Sequence, residues 1–149
     1  MMKKLLLILL LVNLSFAANT KGLDDRVTQF TVAQSYANGK GVKKDYEKAV
    51  KWYSQSAEQG FADAQYHLGI HLYSGKGVKK DYEKAAKWIK KAALQGNIKA
   101  QHKLGILYYN GQGIIKSYKE AAKWVKKSYE SGNTKAKESW KKYELWKYE

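Results

Sequence analysis

Apolar side chains recur at steps of three and four residues in a segment that begins near Tyr46. Tyr46, Ala49, Val50, Tyr53 and Ala57 fall on one side of a helix with 3.6 residues per turn. Polar residues occupy most of the positions between them. The pattern therefore predicts an amphipathic α-helix with one buried face and one exposed face.

Both ends of this segment have residues that are typical of helix termini. Asp45, Asp81 and Ser117 stand where an N-cap side chain can accept a hydrogen bond from the first turn. Ser117 and Glu120 also have the spacing of a capping box. Glycines follow the last predicted turn, where a left-handed residue can end a helix: Gly60, Gly96 and Gly132.

A second helical pattern lies between these segments, from Ala62 to Gly75. Ala64, Leu68 and Leu72 share one side of this predicted helix. Gly69 lies in its interior, and Gly105 takes the same place in a later copy. Glycine inside a helix costs about 1 kcal/mol relative to alanine. We therefore expect another helix to pass close to both glycines.

The two patterns recur along the chain with a fixed period. The segment GKGVKKDYEKA is present at 39–49 and again at 75–85, and the related GQGIIKSYKEA follows at 111–121. A single helical pair cannot bury its apolar face alone, whereas stacked pairs bury it against each other. The period therefore predicts an all-α solenoid of helix pairs.

The segment AQYHLGIHLYSGKGVKKDYEKAAKWIKKAALQG resembles a Sel-1-like repeat, which is related to the tetratricopeptide repeat. The matching features are AQxxLGxxY, GxGV, DYxKAxxW and the closing AxxQG. The resemblance covers about residues 25–149 and implies a right-handed α-solenoid of stacked antiparallel helix pairs. Its units would be about 25–60, 61–96 and 97–132, followed by a capping helix at 133–149.

Both ends depart from the repeat pattern. The segment VTQFTVAQSYANG lacks the Leu-Gly pair, so the first helix is expected to act as a cap. Near the C-terminus, Trp140 and Lys141 stand at the positions of Leu104 and Gly105. These replacements are expected where no further helical pair packs.

The resemblance implies a protein or peptide partner, bound on a concave surface that the first helices line. Alignment of the copies gives these candidate partner-binding residues: Phe30, Gln34, Tyr66, Ile70, Tyr73, His102, Ile106, Tyr109, Asn110, Glu138 and Lys142. Tyr73 and Tyr109 could equally be core residues. Tyr66, Ile70, His102 and Ile106 occupy positions that vary more between copies, which favours a binding face. The expected role is that of a scaffold, an adaptor or an inhibitor. Within the family, exported members include host-interaction factors and immunity proteins that neutralise secreted toxins, and no cofactor is implied.

The N-terminus has the layout of a secretory signal peptide. Lys3 and Lys4 precede an apolar run at 5–12, and Ala17 precedes a plausible cleavage site. The apolar run is short for a membrane-spanning helix, although an uncleaved anchor is the alternative. We expect residues 18–24 to form a short segment before the solenoid. The predicted location is the periplasm or the outside of the cell.

The chain has a formal net charge of +15, which falls to +13 if Lys3 and Lys4 are removed. Lysines line the outer face of the predicted second helices: Lys84, Lys87, Lys91, Lys123 and Lys127. They could contact an anionic envelope surface, or they could simply form a solvated face. Because Arg26 is the only arginine, and phosphate sites favour arginine, nucleic acid is not an expected partner.

Catalytic and metal-binding patterns are sparse. The chain has no cysteine, which excludes disulfides, cysteine nucleophiles and cysteine-based metal sites. His67 and His71 share a helical face but lack the glutamate of an HExxH site, so surface polar residues are the preferred interpretation. Cysteine-rich members of the resembled family are described as β-lactamases, and Ser139–Lys142 spells SxxK. No SDN or KTG accompanies it. A β-lactamase-like or cell-wall-related hydrolase is therefore the alternative to a binding protein, and we expect neither catalysis nor a metal site.

Overall fold

A computed structural model describes residues 25–149, and their regular secondary structure is entirely helical. The elements are α1 (Asp25–Asn38), α2 (Tyr46–Glu58), α3 (Ala62–Ser74), α4 (Tyr82–Leu94), α5 (Ile98–Asn110), α6 (Tyr118–Glu130), α7 (Thr134–Lys142) and a 3₁₀ helix (Leu145–Tyr148). The prediction of an all-α fold is confirmed.

The predicted signal peptide at 1–17 and the segment 18–24 lie outside the described residues. Within 25–149, none of the helices combines the length and hydropathy needed to cross a bilayer.

The helices pack mainly against their neighbours in sequence. The pairs α1–α2, α3–α4 and α5–α6 make the most extensive contacts, and each pair also packs against the helix that follows it. Buried alanine and leucine side chains fill three consecutive core clusters along the stack. This nearest-neighbour arrangement is that of a solenoid.

The predicted helix caps are present. Asp45, Asp81 and Ser117 accept hydrogen bonds from the backbone N–H groups three residues later, at 3.0, 2.9 and 3.2 Å. The capping box predicted at Ser117 is only half formed. The backbone N–H of Ser117 donates to the Tyr108 carbonyl, and the Glu120 carboxylate accepts from Trp124 instead. Glu120 therefore fastens an aromatic side chain and does not cap the helix.

Gly69 and Gly105 mark the close contact between the two helices of a pair. A methyl group at Gly69 would lie 2.5 Å from Cγ1 of Ile89 in α4. A methyl group at Gly105 would lie equally close to Cγ2 of Val125 in α6. The prediction that another helix passes close to these glycines is confirmed.

A second close contact joins each unit to the one before it. Gly77 and Gly113 adopt φ values of +73° and +70°, and each lies against the first residue of an earlier second helix. A methyl group at Gly113 would lie 1.9 Å from the carbonyl oxygen of Tyr82. Gly41 has the matching backbone conformation, with φ of +76°, but an added methyl group there would meet nothing within 4 Å.

Buried glutamines form a hydrogen-bonded ladder between units. The side-chain amide of Gln65 donates to the Ala57 carbonyl, and its oxygen accepts from Gln95 at 2.7 Å. Gln101 repeats the first of these bonds, to Ala93. Its oxygen has no partner among the described residues, because Ser131 stands where the earlier copies have Gln59 and Gln95.

The C-terminal cap differs from the predicted single helix over 133–149. Helix α7 ends at Lys142, Glu144 adopts a left-handed conformation, and the 3₁₀ helix follows. Leu145 in this 3₁₀ helix is fully buried against α6 and α7 residues. The ring of Tyr148 stacks on Tyr118 at 5.0 Å, so the cap covers the position that a following unit would occupy.

We expect Gly113→Ala to destabilise the fold more than Gly41→Ala. Both substitutions place a side chain in a left-handed conformation, at about 1–2 kcal/mol. Only Gly113→Ala also forces a methyl group into the backbone of Tyr82, and such overpacking adds about 1–3 kcal/mol. Thermal and urea unfolding of both variants would measure the difference. Equal losses would mean that the contact between units is not close.

We also expect Ser131→Gln to stabilise the protein by about 0.5–1.5 kcal/mol, because it supplies the missing donor to Gln101. Ser131 has nearly the same backbone angles as Gln59 and Gln95, so the longer side chain can take the same path. Ser131→Met is the matched control, since it has similar length and no donor. Urea unfolding should separate the two variants, and an equal gain from both would rule out the hydrogen bond as the cause.

Candidate functional site

Two neighbouring pockets lie along the first helices of the pairs. The proximal pocket, between α1 and α3, has a volume of about 310 Å³, and the distal pocket, beside α5, has about 540 Å³. Tyr66 lines the distal pocket and Ile70 lines the proximal one. Because these residues are four apart in α3, they share one helical face. We refer to this face of α1, α3, α5 and α7 as the groove.

Residues from several elements line each pocket. The proximal pocket is lined by Gln34, Ala37, Asn38, Lys44, Tyr46, Tyr53, His67, Ile70, His71, Ser74 and Lys76. The distal pocket is lined by Tyr66, Ile98, Lys99, His102, Lys103, Ser131, Gly132, Asn133, Thr134 and Lys135. Four of the eleven predicted partner-binding residues are among them: Gln34, Tyr66, Ile70 and His102.

The remaining predicted residues fall into two groups. Asn110, Glu138 and Lys142 are exposed to solvent on α5 and α7. Phe30, Tyr73, Ile106 and Tyr109 are half-buried and pack against the core clusters. The first group can therefore contact a partner directly, whereas the second group helps to hold the helices together.

Ring contacts show how the aromatic members of the second group are held. The ring of Phe30 lies 5.2 Å from Phe61, and the ring of Tyr109 lies 4.4 Å from Tyr143. The hydroxyl of Tyr73 donates to the side-chain oxygen of Gln112 at 2.9 Å. These contacts bridge consecutive units, which explains why the sequence pattern allows a core role for Tyr73 and Tyr109.

His67 and His71 are not the surface residues that the sequence predicts. His71 is 7% exposed, and its Nδ1 lies 2.8 Å from the Lys76 carbonyl oxygen. Because a carbonyl can only accept, Nδ1 carries the proton. His67 is half-buried and stacks on the ring of Tyr53 at 5.2 Å. The two histidines share one helical face, as their spacing predicts, but α1 and α2 pack against that face.

Burial lowers the pKa of all three histidines. For His67, the desolvation effect is reinforced by the positive charge of Lys99, and the pKa of the His71 imidazole falls mainly because the ring is buried. The pKa of His102 is lowered by burial and then by the charges of Lys103 and Lys135. The folded protein therefore favours neutral imidazoles at these positions.

His102 and Ser139 form a contact that the sequence does not reveal. Nε2 of His102 in α5 lies 2.8 Å from Oγ of Ser139 in α7. The sequence does not reveal a general base for Ser139, whereas the structure places the His102 imidazole beside it. A nucleophilic site also needs a group that orients the base and donors for an oxyanion. Within residues 25–149, no hydrogen-bonded carboxylate orients this imidazole, so we interpret the contact as a link between α5 and α7.

Metal binding has no support in the described part of the chain. Residues 25–149 contain no cluster of three or more histidine, aspartate or glutamate side chains that could hold a metal ion. His67 and His71 instead use their rings in aromatic contacts.

The lysines of the distal pocket are functional candidates that the sequence patterns did not single out. Lys99, Lys103 and Lys135 line the distal pocket, and Nζ of Lys103 lies 3.5 Å from the centroid of the Tyr73 ring. Burial lowers the pKa of Lys103. Comparison of the repeat copies could have pointed to these lysines, because Asp63 occupies the position that Lys99 and Lys135 take in the next two units.

The outer face of α4 carries a different arrangement. The lysines predicted there are exposed, and Nζ of Lys91 lies 4.3 Å from the Trp88 ring centroid. Leu94 is 63% exposed beside them. In α2 and α6, Glu58 and Glu130 occupy the position of Leu94. The middle pair therefore presents an exposed leucine among its lysines, where the other two pairs have a glutamate.

Comparison with known proteins places these features in a family. The Sel1 repeat family model matches residues 28–61, 62–97 and 98–133. Among solved structures, the chain is similar to a Sel1 repeat protein from Oxalobacter formigenes, with 41% sequence identity and a TM-score of 0.72. The match covers 74% of this chain and 46% of that protein. No curated protein gives a significant match.

Two further structures are similar. One is c5321, described as a protective antigen present in uropathogenic Escherichia coli strains displaying an SLR fold, with 36% identity and a TM-score of 0.73. The match covers 74% of this chain and 24% of that one. The other is Helicobacter pylori cysteine rich protein B, with 27% identity, a TM-score of 0.64, and coverage of 74% and 82%. This chain spans less than half the length of the first two relatives.

We expect the protein to lose stability when the pH falls below about 6.5, the pKa of an unperturbed histidine. The histidine pKa values are lowered in the folded state, so below this pH the unfolded chain binds protons that the folded chain does not. Stability is then highest above the unfolded pKa and decreases on acidification. The carboxylates whose pKa values are lowered, those of Asp45 and Asp81, would lose their contribution only at more acidic pH.

Thermal unfolding at about pH 7.5 and about pH 5.5 brackets the unperturbed histidine pKa and would measure this effect. His67→Phe is the informative variant, because an aromatic ring can keep the contacts with Phe30 and Tyr53 without titrating. It should reduce the change in Tm between the two pH values. An unchanged Tm in the parent protein would contradict the prediction.

Proposed function

Since this chain belongs to the Sel1 repeat family, we propose that it is an exported protein that binds a protein partner in its groove. Sel1 repeats generally mediate protein–protein interaction. The observation that carries the proposal is the pair of pockets along α1, α3 and α5. The volumes of both pockets lie above roughly 300 Å³, the lower end of the range for ligand pockets.

The residues around the pockets have the character of a binding face. At the position shared by Phe30, Tyr66 and His102 the side chain differs in every copy, whereas the preceding position is glutamine in all three copies. A purely structural position in a repeat is under the same packing constraint in each unit. Variation at a half-buried position beside a pocket therefore favours recognition of one particular partner.

Export is supported by the layout of residues 1–17, with its lysines, short apolar run and Ala17. The Escherichia coli relative is described as a protective antigen, which fits a family with members outside the cytoplasm. In the periplasm or outside the cell, the protein would act as a scaffold, an adaptor or an inhibitor of the immunity type.

A second candidate function rests on the outer face of α4. Trp88 and the exposed Leu94 lie among Lys84, Lys87, Lys90 and Lys91, around an open surface pocket of about 390 Å³. Apolar side chains ringed by lysines are typical of helices that rest on anionic membrane surfaces. This arrangement would attach the protein weakly to the envelope without involving the groove.

One experiment separates the two functions. Immobilised protein 18–149 would be used to capture partners from envelope and secreted extracts. The groove variant carries Tyr66→Ala, His102→Ala and Asn110→Ala, and the outer-face variant carries Lys87→Gln, Lys90→Gln and Leu94→Ser. We expect a discrete protein partner that the groove variant loses and the outer-face variant retains.

Two controls are needed, one for the folding of the variants and one for the salt dependence of binding. Circular dichroism and Tm of both variants must match the parent protein before retention is compared. Binding through the outer face should also weaken steeply as salt is added, since exposed charges are screened. Retention that only the outer-face variant loses would overturn the groove as the binding site and favour the envelope function.

A further inference from the structure

The charged side chains that line the distal pocket are all positive. Lys99, Lys103 and Lys135 contribute to its wall, and no aspartate or glutamate does. None of these three lysines lies within ion-pair distance of a carboxylate in residues 25–149. Within residues 25–149 most lysines have no ion pair, and only Lys48, Lys84, Lys123, Lys126 and Lys147 have one. The distal pocket therefore differs from the rest of the surface in gathering three such lysines around one cavity without a carboxylate.

Lys103 shows that this positive charge is held in place. Its side chain is half-buried, and Nζ lies over the ring of Tyr73 at 3.5 Å from the centroid. A cation–π contact restrains an ammonium group but does not neutralise it. Keeping an unpaired cation partly out of water has an energetic cost, which a bound anion would offset.

The three charges act on the same space. The pKa of His102, which lines the same pocket, is lowered by burial and then by the positive charges of both Lys103 and Lys135. Lys99 belongs to the same helix as Lys103 and is four residues away from it. The hydrogen-bonding contact between His102 and Ser139 ties α7, which carries Lys135, to α5. The lysines are therefore carried by elements whose relative position is fixed.

The proximal pocket has the same character. Lys44 and Lys76 line it, and its wall also lacks aspartate and glutamate. The groove helices carry three acidic residues: Asp25, Asp63, which accepts a hydrogen bond from Asn97, and the exposed Glu138. None of these carboxylates lines either pocket. A chain lying along the groove would thus meet lysines in both pockets.

We propose that the partner places an acidic segment in the groove, with aspartate or glutamate side chains paired to Lys99, Lys103 and Lys135 of the distal pocket. This inference rests on the proposed function and specifies the chemistry of the partner. The apolar parts of Tyr66 and Ile98 line the same pocket, so the segment that fits best alternates acidic and apolar side chains. A polyphosphate chain offers charge without that apolar component.

The test uses a fluorescein-labelled peptide that alternates glutamate with leucine, and fluorescence anisotropy as the readout. The pocket variant carries Lys99→Gln, Lys103→Gln and Lys135→Gln. The control variant carries Lys87→Gln, Lys90→Gln and Lys91→Gln on the outer face, which lowers the net charge equally. We expect the pocket variant to lose at least about tenfold in affinity, as for one charge-assisted hydrogen bond, and the control to stay within about threefold.

Three results would overturn the proposal. Equal losses in the two variants would mean that only the overall positive charge attracts the peptide. Equal binding of a peptide with glutamine in place of glutamate would mean that the carboxylates are not recognised. Tighter binding of inorganic polyphosphate than of the peptide, lost with the same three lysines, would assign the pocket to phosphate.

Folding and the rest of the proposal are controlled separately. If the triple variant fails to fold, Lys99→Gln with Lys135→Gln removes only exposed side chains and leaves Lys103 in place. A captured partner that depends on Tyr66 and His102 but not on the lysines would overturn the acidic segment and leave the groove function standing. Absence of any groove-dependent partner would instead overturn the proposed function.

Discussion

Backbone-to-backbone contact between successive units is the constraint on which the rest of the structure depends. Gly77 and Gly113 bring each interhelical loop against the first residue of an earlier second helix, closer than any side chain allows. Gly69 and Gly105 let the two helices of a pair approach closely as well, and there the glycine backbone lies against the side chains of Ile89 and Val125. These contacts fix the distance and the angle between neighbours, and every pocket along the groove follows from that geometry. A methyl group at Gly41 would meet no atom within 4 Å, so glycine is needed there only for the left-handed backbone conformation.

Features set within one unit could be predicted from the sequence. The amphipathic period located the second helices, Asp45 and Asp81 located their N-caps, and Gly69 and Gly105 revealed a close helix contact. Each of these depends on residues a few positions apart or on a glycine whose cost demands a reason. The repeat then extended a local argument to the whole stack.

Contacts between units could not be predicted in the same way. His67 and His71 have the right spacing for an exposed pair, yet rings from Phe30, Tyr46 and Tyr53 cover them. The contact of His102 with Ser139 joins residues 37 positions apart. Helical periodicity specifies which side chains share a face, but it does not specify what lies opposite that face. The groove residues are the hardest to predict, because their exposure depends on the neighbouring unit.

The two kinds of helix differ in the charge of their cap residues. Asp81 caps α4 and pairs with Lys84 on its outer face, so the residues that start the helix also neutralise a lysine. The first helices have no such arrangement: Asn97 and Asn133, which are neutral, cap α5 and α7. Lysines on α5 and α7 therefore receive no carboxylate from a cap residue. Second-helix lysines beyond the first turn, such as Lys87 and Lys90, are unpaired as well. The groove differs in that no aspartate or glutamate lines its two pockets, which leaves the pairing of Lys99 and Lys135 to whatever the groove binds.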